Sequence, residues 1–183
     1  MPADGLTSSD IVAFWREAGP ERWFEKDLAF DEEIRLRFLA IHEVAAEGLL
    51  RHWESNAEGA LALLLLLDQF PRNMFRGQAR AFATDPLARA IAASALVQGF
   101  DAQVPADMHN FFYLPFEHSE DMHDQERSLA LFQAAGDEDG LKWAEMHADI
   151  IRRFGRFPHR NAVLGRETTP EEQAFLDQGG FAG

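Results

Sequence analysis

The chain has 183 residues, of which 46% are hydrophobic, and it contains no cysteine. This composition excludes a disordered chain, and the lack of cysteine excludes disulfides, zinc–thiolate sites and thiol nucleophiles. The formal net charge of −14 argues against a nucleic-acid-binding protein, because such proteins meet the phosphate backbone with a basic face.

The N-terminal and the most apolar segments indicate neither a leader peptide nor a membrane span. Residues 1–10 have no basic start and no apolar core, both of which a signal peptide requires. The longest apolar run, residues 60–67, is far shorter than the roughly 20 residues that cross a bilayer. The sequence therefore predicts a cytoplasmic protein with no membrane partner.

Helical periodicity recurs along the whole chain, and no segment alternates in the manner of a β-strand. Several of the helices have recognisable N-terminal caps, such as Asn56 and Asp85. Pro71 is expected to end the helix that precedes it, since a proline inside a helix costs about 3 kcal/mol. The predicted helices are carried by residues 11–18, 28–47, 61–67, 86–97, 106–113, 119–135, 140–154 and, after a Thr-Pro-Glu-Glu capping box at 169–172, the segment that follows.

About eight such helices with short linkers favour stacked antiparallel helix pairs. No Pro- or Ser-rich boundary divides the sequence, so we predict a single all-α domain over residues 1–183. The tetratricopeptide consensus, with its period of about 34 residues, cannot be read in this sequence, so any such repeat would be structural rather than sequential.

Two segments echo each other: residues 70–73 read Phe-Pro-Arg-Asn, and residues 157–161 read Phe-Pro-His-Arg-Asn. Each opens a stretch that is rich in arginine and free of acidic residues, although the whole chain is acidic. Arginine suits bidentate pairing with carboxylate or phosphate. The two acid-free stretches lie between Asp68 and Asp85 and between Asp149 and Glu167. They contain Arg72, Arg76, Arg80, Arg152, Arg153, Arg156, Arg160 and Arg166.

Two interpretations of these arginines stay open. They can pair inside the fold with acidic residues such as those of segment 117–126. Alternatively, a few can remain free in a groove and bind an anionic ligand or an acidic peptide.

Asp68 shares a helix face with Leu64 and Leu65, which predicts that its carboxylate is buried. A buried carboxylate needs a partner. Arg72 is the near candidate and Arg160 the distant one. The alternative is that Asp68 only stabilises the Phe-Pro turn, with no ligand involved.

Residues 114–126 carry the densest set of potential metal ligands. The spacing of Glu120 and His123 resembles that of di-iron bundles, but such a site needs a second motif, which is absent. The adjacent His123 and Asp124 are also compatible with a hydrolytic metal. A polar helix N-terminus, with Ser119 as its cap, explains the same residues without a metal.

Two histidines are interpreted from their surroundings. His147 lies on the apolar stripe of Trp143, Ile150 and Phe154, which is typical of a neutral, hydrogen-bonded core histidine. His159 lies inside the second Phe-Pro motif, closer to any functional region.

The chain resembles a bacterial family of unknown function whose members have a tetratricopeptide-like helical fold. The resemblance rests on residues 65–73 (LLLDQFPRN), 112–120 (FYLPFEHSE) and 157–161 (FPHRN). Trp23-Phe24, Phe30-Asp31 and residues 169–172 fit the same pattern, so nearly the whole chain is covered. The resemblance implies a tetratricopeptide-like array of helix pairs; it assigns no reaction, cofactor or catalytic residue.

We therefore expect an all-α binding module for a peptide or a small anionic ligand, with the two Phe-Pro motifs and segment 117–121 meeting at one groove. Asp68 and Glu117 are expected to orient Arg72, Arg156 and Arg160. No cofactor or resident metal is assigned, and catalysis and oligomeric state stay open. The alternative is a metal-assisted hydrolase that uses His109, His118, His123, Asp124 or Asp149. The expected ligand-binding residues are Asp68, Gln69, Arg72, Asn73, Glu117, His118, Arg156, His159, Arg160 and Asn161.

Overall fold

The computed structural model describes residues 5–181, and these residues contain helices and no β-strand. Residues 1–4, which belong to the segment 1–10 considered for a signal peptide, lie outside the described residues. None of the helices in the described residues has the length and apolar composition of a membrane span. The α-helices are α1 (Ser8–Ala18), α2 (Pro20–Trp23), α3 (Leu28–Ala46), α4 (Ala57–Leu64), α5 (Phe70–Met74), α6 (Asp85–Val97), α7 (Leu114–Glu117), α8 (Met122–Ala135), α9 (Glu138–Phe154) and α10 (Pro170–Asp177).

Some predicted elements take a different form. The segment Ala106–Phe112 is a 3₁₀-helix, and further 3₁₀ turns cover Arg51–Ser55, Ala79–Phe82, Asp101–Gln103 and Pro158–Arg160. The predicted N-cap of α8, Ser119, was wrong: the residue that caps this helix is Asp121. The Ser119 hydroxyl instead donates to Asp124 at 2.6 Å and accepts from the Asp121 amide at 3.2 Å.

The chain forms two compact units. The first comprises the residues up to Arg76 together with Arg80–Pro115; the second comprises Gly77–Ala79 and the residues from Phe116 onwards.

Aromatic side chains form the centre of the first unit. Trp15 is fully buried and stacks on Trp23 and Phe30, with ring centroids 6.1 and 5.9 Å apart. Phe70 and Phe111 also contact the Trp15 indole, with ring centroids 5.3 and 6.0 Å away. Because large rings bury the most apolar area per residue, this cluster anchors α1, α2, α3 and α5 to one another.

The helix that contains Pro71 does not end there, contrary to the prediction. A π-helical turn, Leu65–Gln69, joins α4 to α5 without a break, and the Phe70 amide donates to the Leu65 carbonyl five residues back. The wider turn leaves room for the proline ring near the start of α5, where its missing N–H matters least.

The carbonyl groups released by the π-turn are taken up by side chains. His42 Nδ1 lies 2.8 Å from the Leu66 carbonyl oxygen. The Thr84 hydroxyl donates to the Leu67 carbonyl oxygen at 2.5 Å, and Arg72 Nη1 donates to the backbone carbonyl oxygen of Asp68 at 2.7 Å. Burial lowers the pKa of His42, which favours the neutral ring that makes this bond. Three consecutive buried carbonyls are thus satisfied from outside the helix.

The second unit is built on the helical hairpin α8–α9. Gly136 ends α8 in the left-handed conformation, with φ of 69°, and Asp137 caps α9. Phe132 is fully buried beside Gly140, where a Cβ atom would come within 2.4 Å of its ring. Ile150, Ile151 and Phe157 form the core on which the C-terminal segment packs.

Candidate functional site

Asp68 is buried and meets Arg72, as predicted. The carboxylate is 2% exposed, and its Oδ1 lies 3.3 Å from Arg72 Nη1. The same guanidinium makes a bidentate pair with Asp85, at 2.9 and 3.0 Å. One arginine therefore joins the π-turn to the first turn of α6 through charge-assisted hydrogen bonds.

The side-chain amides of Gln69 and Asn73 belong to a second buried chain of hydrogen bonds. Gln69 Nε2 donates to the Trp23 carbonyl and to Asn73 Oδ1, at 3.3 and 3.1 Å. Asn73 Nδ2 donates to Asp31 at 2.8 Å, and Arg76 pairs with both oxygens of Asp31. These contacts tie α5 to α2 and α3 within the first unit.

The segment around Glu117 is held in place by Gln125. The Gln125 amide is fully buried, and it donates to the Glu117 and Ser119 carbonyls at 2.6 and 2.7 Å. Glu117 is 3% exposed, and its Oε1 lies 3.1 Å from His147 Nδ1. His147 Nδ1 also lies 2.8 Å from the Trp143 carbonyl oxygen. The predicted core position of His147 is confirmed, and a buried carboxylate adjoins it.

The second Phe-Pro motif is supported by Glu120 and Arg166. Glu120 accepts from the Phe157 amide at 2.7 Å and makes a bidentate pair with Arg166, at 2.6 and 2.9 Å. Burial acts to raise the pKa of Glu120, but the bonds from Arg166 and the Phe157 amide outweigh it, and the pKa lies below its usual value. Arg166 also donates to Asn161 Oδ1 at 2.9 Å.

Arg156 pairs with Glu172, a partner that the sequence prediction did not name. Its Nε and Nη2 atoms lie 2.6 and 2.8 Å from the two carboxylate oxygens. This guanidinium, with the Thr169 amide and Asn161, holds the pKa of Glu172 at about 2, although burial acts to raise it. The sequence predicted Glu172 as a member of the capping box of α10, and this prediction is confirmed. It did not indicate the pair with Arg156.

The remaining predicted residues lie beside these pairs. His118 and His159 are half-buried, and Asn161 is fully buried with its Nδ2 atom 3.1 Å from Glu172. Arg160 is 6% exposed, and its guanidinium stands 4.4 Å above the Phe157 ring. Most of the arginines named from the sequence therefore contact partners within their own unit, which favours the internal-pairing interpretation for them.

Two adjoining open hollows lie on the surface of the second unit, and we call them together the arginine hollow. The first has a volume of about 600 Å³, within the range of small-molecule sites. Arg156 and Thr169 line both parts. The other lining residues are Arg166, Glu167, Thr168 and Pro170 in the first, and Arg153, Phe154, Glu171 and Glu172 in the second.

Of the ten predicted ligand-binding residues, only Arg156 lines the arginine hollow. Asp68, Gln69, Arg72 and Asn73 lie in the first unit, and the other predicted residues lie in the second. The meeting of both motifs at one groove stays a prediction. Arg153 and Arg166 were visible as members of the acid-free stretch, whereas no sequence signal marked Thr168 as a lining residue.

No group of three or more His, Asp or Glu side chains suited to a metal ion occurs within residues 5–181. His109 Nε2 lies 3.0 Å from the Val104 carbonyl oxygen, and Asp149 lies 3.4 Å from Arg152 and 3.8 Å from Arg153. No observation on the described residues therefore favours the metal-assisted hydrolase.

The fold and these buried pairs define an all-helical protein stabilised by arginine–carboxylate bonds. The chain belongs to the family described as bacterial protein of unknown function (DUF924), which it matches over residues 11–180. It is similar to the solved structure of a protein of unknown function, ATU0120 from Agrobacterium tumefaciens. The two are 53% identical, the match covers 94% of this chain and 97% of that one, and the TM-score is 0.91. No curated protein matches the chain.

Proposed function

We propose that this protein is a binding module whose arginine hollow takes a small anionic group or the acidic side chains of a peptide. The observation that carries the proposal is the state of Arg156. Glu172 and the Glu167 carbonyl engage its Nε and Nη2 atoms, while Nη1 makes no hydrogen bond within the described residues. Two N–H donors of a fixed guanidinium are therefore left for a ligand at the hollow.

The neighbours of Arg156 suit the same class of ligand. Arg166 is held by Glu120 and Asn161, and Arg153 lies over the rings of Phe154 and Phe175, at 4.8 and 5.1 Å. Because these contacts fix the side chains before a ligand arrives, less conformational entropy is lost on binding. Thr168 adds a hydroxyl group, which serves as donor or acceptor.

The family resemblance and the antiparallel hairpin α8–α9 support a tetratricopeptide-like arrangement of helix pairs as part of this proposal. Such arrays present surfaces that suit peptide ligands. A cytoplasmic location and a peptide or small-anion partner belong to the same proposal.

A pair of adjacent arginines tests the proposal. Arg152 and Arg153 both approach Asp149, and their side chains are 60% and 51% exposed, but only Arg153 lines the arginine hollow. We expect Arg153→Gln to weaken the binding of an acidic peptide about fivefold in isothermal titration calorimetry, since one charge-assisted contact is lost. Inorganic phosphate is the second probe.

Arg152→Gln is the matched control, and it is expected to bind both probes as tightly as the wild type. Equal losses in the two variants would show a general charge effect and would contradict the proposal. So would a wild-type protein that binds neither probe at millimolar concentration.

A further inference from the structure

The arginines that line the arginine hollow already have carboxylate partners within their own unit. The three pairs are Arg156 with Glu172 at 2.6 Å, Arg166 with Glu120 at 2.6 Å and Arg153 with Asp149 at 3.8 Å. Three positive charges therefore face three negative ones. The hollow presents hydrogen-bond donors to an anion without an excess of positive charge.

Two further carboxylates line the hollow, Glu167 in its first part and Glu171 in its second. Both residues are exposed, and neither side chain makes a hydrogen bond or an ion pair within residues 5–181. Glu171 lies in the first turn of α10, where the helix dipole favours an acidic residue. Glu167 precedes this helix, so the dipole gives no such reason for its charge.

The backbone of Glu167 is fixed beside Arg156. Arg156 Nη2 donates to the Glu167 carbonyl oxygen at 2.7 Å. The Glu167 carboxylate does not pair with this guanidinium, because Glu172 accepts from both Nε and Nη2. An unpaired acceptor and the two donors on Arg156 Nη1 thus belong to one part of the hollow.

Thr168 provides a third donor in the same part of the hollow. Its hydroxyl oxygen accepts from Asn161 Nδ2 at 3.4 Å, which leaves the hydroxyl hydrogen for an acceptor. Arg166 contributes less, since four of its five N–H groups are engaged by Asn161, Glu120 and the Phe157 carbonyl. The donors for an anion are therefore those of Arg156 and Thr168.

From these contacts we infer that the ligand of the arginine hollow is a zwitterion, with a carboxylate and an ammonium group, such as an amino acid or a short peptide. The inference rests on the proposed function and narrows its ligand class. The ligand carboxylate accepts from Arg156 Nη1 and from the Thr168 hydroxyl group. The ligand ammonium group donates to the Glu167 carboxylate.

Electrostatics favours this ligand over one that carries negative charge alone. A second negative charge in the hollow is repelled by Glu167 and Glu171, whereas an ammonium group gains a charge-assisted hydrogen bond at Glu167. The net charge of −14 acts in the same direction, because it disfavours the approach of a multiply charged anion.

The test compares L-glutamate with glutarate, which has the same dicarboxylate chain without the ammonium group. Affinities are measured by isothermal titration calorimetry, with circular dichroism to verify folding. In the wild type, glutamate should bind about fivefold more tightly than glutarate, as expected for one exposed charge-assisted contact.

The variant Glu167→Gln should bring the two affinities to within about twofold of each other, because the ammonium group loses its ionic partner. Glu145→Gln is the matched control. Glu145 is an exposed acidic residue of α9 that does not line the hollow, and its replacement changes the net charge by the same amount. This control should keep the fivefold preference for glutamate.

Equal affinities of the wild type for glutamate and glutarate would overturn the inference and leave the proposed function in place, since the hollow would then bind the anionic group alone. Binding of neither probe would contradict both. A preference for glutamate that persists in Glu167→Gln, or that falls equally in Glu145→Gln, would also overturn the inference.

Discussion

Single residues carry most of the electrostatic organisation of this protein, and Glu172 is the clearest case. Its carboxylate is 2% exposed, and it accepts hydrogen bonds from Arg156, the Thr169 amide and Asn161. These bonds lower its pKa from 4.5 to about 2. A carboxyl group whose pKa is lowered by folding stabilises the protein above its unfolded pKa, and this contribution is lost as the pH falls through 4.5 towards 2.

We predict that Glu172→Gln weakens this dependence of stability on pH. Between pH 6 and pH 3 the wild type should lose about 1–2 kcal/mol of unfolding free energy from this group, once solvent screening at the rim is allowed for. Urea unfolding at several pH values measures the loss. Glutamine keeps the acceptor of the capping box, so the helix end should remain intact.

The neighbouring exposed Glu171 provides the control for this experiment. Glu171→Gln should follow the wild-type pH profile. An unchanged profile for Glu172→Gln would show that the pair with Arg156 contributes nothing to stability.

At the same scale, the sequence predicted the partner of Asp68 but not the partner of Arg156. The helical spacing of Asp68 from Leu64 and Leu65 shows that it is buried, and Arg72 lies four residues away on the same helix. The partner of Arg156 is 16 residues distant and is brought close by the loop after Phe157. A local pattern predicts the first pair, whereas the second depends on the tertiary path of the chain.

At the scale of elements, the π-turn at Leu65–Gln69 is the feature that the sequence did not indicate. Pro71 is a helix breaker by propensity, yet the helix continues through it because His42, Thr84 and Arg72 supply donors to the released carbonyls. Arg72 is adjacent to Pro71, but His42 and Thr84 belong to distant segments, so no short window of sequence around Pro71 contains all three donors.

We predict that Thr84→Val destabilises the protein by about 1–3 kcal/mol, since the buried Leu67 carbonyl loses its donor while side-chain volume is kept. Thr84→Ser retains the hydroxyl group and should lose less. Thermal unfolding followed by circular dichroism compares the three proteins. Equal stability of the valine variant and the wild type would mean that another group satisfies this carbonyl.

At the scale of the whole molecule, the chain combines a net charge of −14 with an arginine-lined hollow in its second unit. The all-helical class was predictable, because apolar residues recur at helical spacing along most of the chain. The lining of the hollow was not, because Thr168 and Glu167 come together with Arg156 only when the segment after the second Phe-Pro motif folds back to α10.

We propose that Arg156 and its neighbours bind an anionic group, and this binding can be followed by titrating ¹⁵N-labelled protein with inorganic phosphate. We expect saturable shifts of the Arg156 side-chain Nε–H signal and of the Thr168 and Thr169 amides, with no shift at Arg152. Shifts confined to other residues, or none up to tens of millimolar phosphate, would contradict it.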